Sequence, residues 1–94
     1  MWQEFEWDEA KANANKRKHK ISFDEAKTVF GDPLAKTIYD PDHSIEERRF
    51  LDLGVSTTGK LLVVSYTQRK NLIRIISCRK ATAAERQMYE EDYG

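Results

Sequence analysis

The amino-acid sequence predicts an α+β fold, in which a four-stranded antiparallel sheet is covered by two N-terminal helices and one C-terminal helix. Two capping boxes mark helix starts near the two ends of the chain, Ser22 with Glu25 and Thr82 with Glu85. Between them lie four extended segments with short connections, which join neighbouring strands in antiparallel fashion. The predicted order is α-α-β-β-β-β-α.

Local signals bound the helices. Asp8 is a suitable N-cap for a first helix that runs to about His19. Ser22 begins a second helix, whose apolar side chains recur at helical spacing. Thr82 begins a third helix that runs towards Tyr93.

The strands follow from the pattern of apolar residues. Residues 35–40 form a short strand, and residues 47–55 alternate between two faces. Residues 60–67 and 72–79 are apolar on both faces, as expected for central strands. Because such strands need cover, the helices must pack on the sheet.

Composition limits the functional classes. The chain has 94 residues, which favours one domain, and its 16 basic and 16 acidic side chains give no net charge. Proteins that bind nucleic acid are usually basic, so the total argues against that class. However, residues 11–20 and 69–80 each carry five Lys or Arg and no acid. These stretches form either one positive face or two ordinary solvated surfaces.

The sequence is typical of a cytoplasmic protein that does not enter a membrane. No apolar run approaches the ~20 residues of a membrane span, and the acidic N-terminus lacks the apolar centre of a secretion signal. Cys78 is the single cysteine and lies in an apolar strand, so we expect a small buried side chain.

The sequence predicts neither a metal nor a cofactor. His19 and His43 do not form a metal-binding pair, and C-x-x-C and Gly-rich phosphate motifs are absent. Four acids in and beside one turn could formally hold Mg²⁺: Asp40, Asp42, Glu46 and Glu47. Ordinary surface carboxylates are the simpler interpretation.

The remaining chemical signal is a set of charged residues at the ends of helices and strands. They are Lys18 and His19, Glu47 and Arg48, Arg69, and Arg79 and Lys80. Arginine suits phosphate because its planar fork donates two hydrogen bonds and keeps its charge. His and Glu can move protons near neutral pH. In the structural alternative, Arg79 pairs with Glu47 and Lys80 is merely exposed.

Three blocks carry a resemblance to a known family: "KHKISFDEAKTVFGDP" (18–33), "DPDHSIEERRFLDLGVSTTGKLLVVSYTQR" (40–69) and "IRIISCRKATAAERQMYE" (73–90). With the leading "FEWDEAKANANKRKHK", they resemble the BrnT toxins of bacterial BrnT–BrnA type II toxin–antitoxin systems, over nearly the whole chain. Lys20 stands where the family usually has glycine, and Cys78 where it has alanine.

The resemblance implies a single RelE-like toxin domain over residues 1–94. It implies a ribonuclease that arrests translation and is neutralised by a BrnA-type antitoxin in a 2:2 complex, which contacts operator DNA only through the antitoxin. It points to six catalytic residues: Lys18, His19, Glu47, Arg48, Arg69 and Arg79. Three further residues are expected to bind the RNA substrate: Arg74, Lys80 and Tyr66.

A metal-independent mechanism is consistent with these residues. The RNA 2′-hydroxyl would attack its own phosphate, with Glu47 or His19 as base. Arg48, Arg69 and Arg79 would stabilise the phosphorane. Lys18, or His19 if it is not the base, would assist the leaving oxygen. There are two alternatives. The chain could be a non-catalytic module that binds nucleic acid, or one that only binds an antitoxin.

Overall fold

The computed structural model describes residues 3–40 and 48–91, which form one five-stranded sheet and three α-helices. The strands are β1 (Glu4–Glu6), β2 (Lys36–Asp40), β3 (Arg49–Val55), β4 (Leu61–Arg69) and β5 (Leu72–Lys80). The helices are α1 (Glu9–His19), α2 (Phe23–Ala26), which continues into a 3₁₀ turn (Lys27–Gly31), and α3 (Ala83–Glu91). The strand order across the sheet is β1-β5-β4-β3-β2. The predicted α+β class is confirmed.

The four predicted antiparallel strands are present, but the prediction of a four-stranded sheet is wrong, because β1 adds a fifth strand that is parallel to β5. Phe5 pairs with Ile73, and its ring lies 5.3 Å from that of Phe30. The element order therefore begins with a strand before the two N-terminal helices. The other strand pairs are antiparallel, as predicted.

Local capping begins the first two helices as predicted. The Asp8 carboxylate accepts a hydrogen bond from the N–H three residues later, at 3.1 Å, and the Ser22 hydroxyl accepts one from the Glu25 N–H, at 3.1 Å. The carboxylate of Glu25 accepts from the Ser56 hydroxyl at 2.8 Å. It thereby joins α2 to the turn between β3 and β4.

The sheet separates two apolar clusters. The larger one lies under α2 and the 3₁₀ turn and includes these buried residues: Ile21, Phe23, Ala26, Val29, Leu62, Val64, Ile73, Ile75 and Cys78. The smaller one lies on the opposite face, where α3 packs: Leu53, Leu61 and Val63, with Ala81 and Tyr89 against them. The expectation that Cys78 is buried is confirmed, and burial raises the pKa of its thiol to about 12. No helix among the described residues is long and apolar enough to cross a membrane.

The side chain of Asn15 fixes α1 against the edge of β5. Its amide donates to the carbonyl of Cys78 at 2.9 Å and to that of Ile21 at 3.1 Å. Its oxygen accepts from the Cys78 N–H at 3.0 Å. Beyond the end of β1, the Asn15 side chain therefore satisfies the backbone groups of Cys78 on β5, as a neighbouring strand would. The last turn of α1 consequently lies beside the end of β5.

Candidate active site

The register of the strands places four arginines on one face of the sheet. Thr67 on β4 pairs with Arg74 on β5, and Arg69 is two residues further along β4, so all three point to the same side. The pairing of Leu51 with Ser65 extends this side to β3. We call it the arginine face, after its four arginines: Arg49, Arg69, Arg74 and Arg79.

Arg69 and Arg74 lie together at one end of this face. With Glu6, Thr67 and Leu72 they line an open depression of about 260 Å³, which we call the anion depression. Both arginines are exposed. Two guanidinium groups beside a depression that is open to solvent can each offer two donors to one anion.

Glu6 is a candidate functional residue that the sequence analysis missed. Its carboxylate lies 3.0 Å from a guanidinium nitrogen of Arg74, and both side chains are about half exposed, at 45% and 46%. A carboxylate at the rim of a cationic depression has the chemistry of a proton acceptor. The pair depends on the parallel contact between β1 and β5, which joins residues 68 positions apart. No local pattern indicates such a contact.

Arg49, rather than Arg48, extends the arginine face onto β3. Phe50 pairs with Tyr66, so Arg49 lies at the level of Arg74, roughly 10 Å away across two strand spacings. Arg48 precedes β3 and is exposed. The alternation of the strand, continued by one residue, directs Arg48 to the opposite side. Both arginines were visible in the sequence, but the alternation did not show which side carries the other cations.

Arg79 lies apart from the anion depression and is bound within the protein. It is five residues from Arg74 on β5, which corresponds to roughly 16 Å. Its two terminal nitrogens donate to the two carboxylate oxygens of Glu85, at 2.8 and 2.9 Å. The structural alternative for Arg79 was an ion pair with Glu47, but the partner found here is Glu85.

Glu85 also completes the capping box of α3. Its carboxylate accepts from the Thr82 N–H at 2.8 Å, and the Thr82 hydroxyl accepts from the Glu85 N–H at 3.1 Å. The reciprocal box was predicted. Hydrogen bonds from Arg79 are the main reason that the pKa of Glu85 falls to about 2. At the other end of α3, the hydroxyl of Tyr89 donates to the carboxylate of Asp32 at 2.6 Å.

We expect the contact between Arg79 and Glu85 to make stability depend on pH. The folded pKa of Glu85 is about 2, against a usual value of 4.5, so its contribution is fully present above pH 4.5 and is lost as pH falls towards 2. Replacement by Gln should lower the free energy of unfolding by about 1–2 kcal/mol at pH 7. Urea unfolding, followed by circular dichroism between pH 7 and pH 2.5, measures this difference.

The control is Glu90→Gln. Glu90 pairs with Arg86 at 3.9 Å on the surface, so its loss should change the free energy of unfolding by less than about 0.5 kcal/mol. If the effect of Glu85→Gln did not shrink below pH 4.5, the charge of Glu85 would not be its source.

The other predicted cations lie at the Arg79 end of β5. Lys18 and His19 are in the last turn of α1, and Lys80 ends the strand beside them. Lys18 and Lys80 are exposed, whereas His19 is half-buried. The predicted site therefore divides into two groups, with the anion depression at the opposite end of β5.

Tyr66, which was predicted to bind substrate, lies in the core. It is 4% exposed and packs between the rings of Phe30 and Phe50, with centroid distances of 4.9 and 5.7 Å. Its hydroxyl donates to the Asp52 carboxylate at 2.7 Å. Burial raises the pKa of both groups, which keeps Tyr66 protonated. In this position Tyr66 does not line the anion depression, and its hydroxyl joins β4 to β3.

Some predicted residues cannot be placed. Glu47 lies outside the described residues, as do His43, Asp42 and Glu46. Within residues 3–40 and 48–91, no group of three or more His, Cys, Asp or Glu side chains could hold a metal ion.

The family of the chain is decided by a match that spans most of its length. The family described as "Ribonuclease toxin, BrnT, of type II toxin-antitoxin system" matches residues 7–85. This chain belongs to the BrnT toxin family. The matched region contains α1, the whole of β2 to β5 and the start of α3, and therefore all four arginines of the arginine face.

A solved BrnT structure has a similar fold. The crystal structure of the ribonuclease toxin BrnT from Brucella abortus superimposes with a TM-score of 0.65, covering 86% of this chain and 99% of that chain, at 20% sequence identity. At this identity the likeness shows the fold alone. A search of curated proteins finds no significant match.

Membership in the BrnT family confirms the resemblance inferred from the sequence. BrnT proteins are ribonuclease toxins of type II systems, so an antitoxin is the implied partner of this chain. The family description names no catalytic residue, and the geometry above is therefore the basis for the roles considered next.

Proposed function

We propose that this BrnT toxin is a metal-independent endoribonuclease, in which the RNA 2′-hydroxyl attacks the adjacent phosphate, and that the cleavage arrests translation. The observation that carries the proposal is the placement of Arg69 and Arg74 around one open depression. A phosphate under attack gains negative charge on its equatorial oxygens, and donors held on rigid strands stabilise that charge best. RNA is required because DNA lacks the attacking hydroxyl.

In this proposal Arg69 and Arg74 bind the phosphate. Arg49 adds positive charge from β3, on the same face of the sheet. Glu47 remains a candidate base, since it lies two residues before Arg49 in the chain. Glu6 is a second candidate because its carboxylate contacts Arg74 directly, at 3.0 Å. A positioned base contributes roughly 10²–10⁴-fold to such a reaction.

Lys18 and His19 suit these roles less well in the conformation described, because α1 ends at the opposite end of β5 from the anion depression. Lys80 lies at that end too. Arg48 immediately precedes β3 and is directed away from the arginine face. Arg79 can reach a phosphate only after Glu85 releases its guanidinium, so we propose that Arg79 anchors α3 instead.

The proposed partners follow from the family. We propose that a BrnA-type antitoxin neutralises the toxin in a 2:2 complex in the cytoplasm, and that operator DNA is contacted only through the antitoxin. A type II toxin must be inactive while its antitoxin is bound. A simple arrangement has the antitoxin cover the end of the arginine face where Arg69 and Arg74 are exposed.

The test is the incubation of the purified toxin with end-labelled RNA in EDTA, with and without ribosomes. We expect cleavage that EDTA does not inhibit. Cleavage that required a divalent cation would overturn the metal-independent mechanism. RNA that was bound but intact in both settings would favour the non-catalytic nucleic-acid-binding module.

A further inference from the structure

One flank of α1 carries a cationic depression that is separate from the arginine face. Asn13, Lys16, Arg17 and Lys20 follow one another at helical spacing and line an open depression of about 480 Å³. All four are exposed. Within the described part of the chain, none of the three cations forms an ion pair. The lining therefore offers donors and positive charge, without a carboxylate or an apolar side chain.

The left-handed backbone conformation of Lys20 supports a functional role for its positive charge. Lys20 caps α1 with φ 63° and ψ 29°, the left-handed region. Glycine takes this conformation without steric penalty, whereas a side chain with a Cβ is strained there. The chain nevertheless places a lysine at this position, and its side chain lines the same depression as those of Lys16 and Arg17. The general preference of helix C-termini for cations explains one such charge more easily than three that converge.

The depression on α1 and the arginine face lie on different sides of the sheet edge. Asn15 points from α1 to β5. Lys16 also lines the gap between α1 and α2, together with Ser22, Phe23 and the acidic residues Glu9 and Asp24. Because α2 covers the opposite face of the sheet from Arg74, this flank of α1 is directed away from the anion depression.

We propose that Lys16, Arg17 and Lys20 form a second RNA-binding site, which holds the phosphate backbone of the substrate away from the cleaved nucleotide. The identity of the ligand as RNA rests on the proposed function. A polyanion gains affinity from such a surface through the release of its counterions. An antitoxin fits less well, since protein interfaces are depleted in lysine and depend on apolar or aromatic anchors, which this lining lacks.

The test compares wild-type toxin with the variant Lys16→Gln/Arg17→Gln/Lys20→Gly. Binding is measured by fluorescence anisotropy with a 2′-O-methyl RNA oligonucleotide, which cannot undergo attack by the 2′-oxygen. We expect the Kd to rise about 10-fold or more at low salt, and the slope of log Kd against log salt to fall by about 2, from three phosphate contacts at ~0.7 each. With cleavable RNA the KM should rise by a similar factor, while kcat at saturation stays within about twofold.

Three further single variants, Lys20→Gly, Lys11→Gln and Lys16→Gln, separate binding from folding. Lys20→Gly alone should weaken RNA binding while the Tm stays the same or rises, because glycine relieves the left-handed backbone. Lys11→Gln removes one exposed charge from the same helix outside the depression, and it should weaken binding less than Lys16→Gln does.

The proposal is overturned if the triple variant binds RNA with the affinity and salt slope of the wild type, or if kcat falls while KM stays unchanged. It is also overturned if the variant keeps RNA binding but no longer copurifies with its antitoxin, since the surface would then belong to that partner. If wild-type toxin binds RNA through these residues but never cleaves it, this site stands and the proposed ribonuclease activity fails.

Discussion

Replacement of Arg74 by alanine is expected to slow RNA cleavage at saturating substrate by about 10²–10³-fold, and replacement of Arg69 should do the same. Each change removes a charged donor that the strands hold in place before the phosphate arrives. The stability of Arg74→Ala should differ little from that of the wild type, because the ion pair of Arg74 with Glu6 is about half exposed and such pairs contribute roughly 0–1 kcal/mol. Single-turnover cleavage rates, with the Tm of each variant, measure both effects.

Two matched arginine variants make this prediction specific. Arg86→Ala removes an exposed arginine of α3 whose pair with Glu90 spans 3.9 Å, so cleavage should be unaffected. Arg79→Ala should lower the free energy of unfolding, because the Arg79 guanidinium binds Glu85. Its cleavage rate should fall much less than those of Arg69→Ala and Arg74→Ala. Wild-type cleavage by Arg69→Ala and Arg74→Ala would place the active site elsewhere. Full loss of cleavage in a folded Arg79→Ala toxin would show that Glu85 releases Arg79 for catalysis.

Replacement of Asn15 by alanine is expected to lower the free energy of unfolding by about 3 kcal/mol. Asn15 is 7% exposed, and its amide makes three hydrogen bonds to the backbone of Ile21 and Cys78. Alanine would leave those backbone groups without partners at a site that water does not reach. Urea denaturation of the purified toxin gives the free energy directly.

Asn13→Ala is the matched control, because Asn13 is exposed on the same helix and should change the free energy of unfolding by less than about 0.5 kcal/mol. Asn15→Asp should also be destabilising, since a carboxylate accepts from the Cys78 N–H but cannot donate to the two carbonyls. Wild-type stability of Asn15→Ala would mean that Asn15 does not hold α1 to β5.

Local signals in the sequence were sufficient for most of the fold. Asp8, Ser22 and Thr82 mark the three helix starts that the structure shows, because an N-cap acts within one turn of its own helix. β1 was missed because three residues with one inward side chain, Phe5, give no measurable alternation. Its partner strand is also far away in the chain.

The site was harder to predict because its geometry depends on which face of the sheet is covered. Alternation separates Arg48 from Arg49, but only the register of β3, β4 and β5 shows that Arg49 shares a side with Arg74. Tyr66 occupies a strand with two apolar faces, so the sequence did not indicate which face it joined. The partner of Arg79 had a local signal that was overlooked, since the capping glutamate of α3 lies only six residues later.

The chemical ends of the RNA fragments test the central claim most directly. After cleavage in EDTA, mass spectrometry should find a 2′,3′-cyclic phosphate on the 5′ fragment and a 5′-hydroxyl on the 3′ fragment, because the attacking group is the neighbouring 2′-hydroxyl. A 3′-hydroxyl and a 5′-phosphate would contradict the account, since they would show that water attacks the phosphate instead.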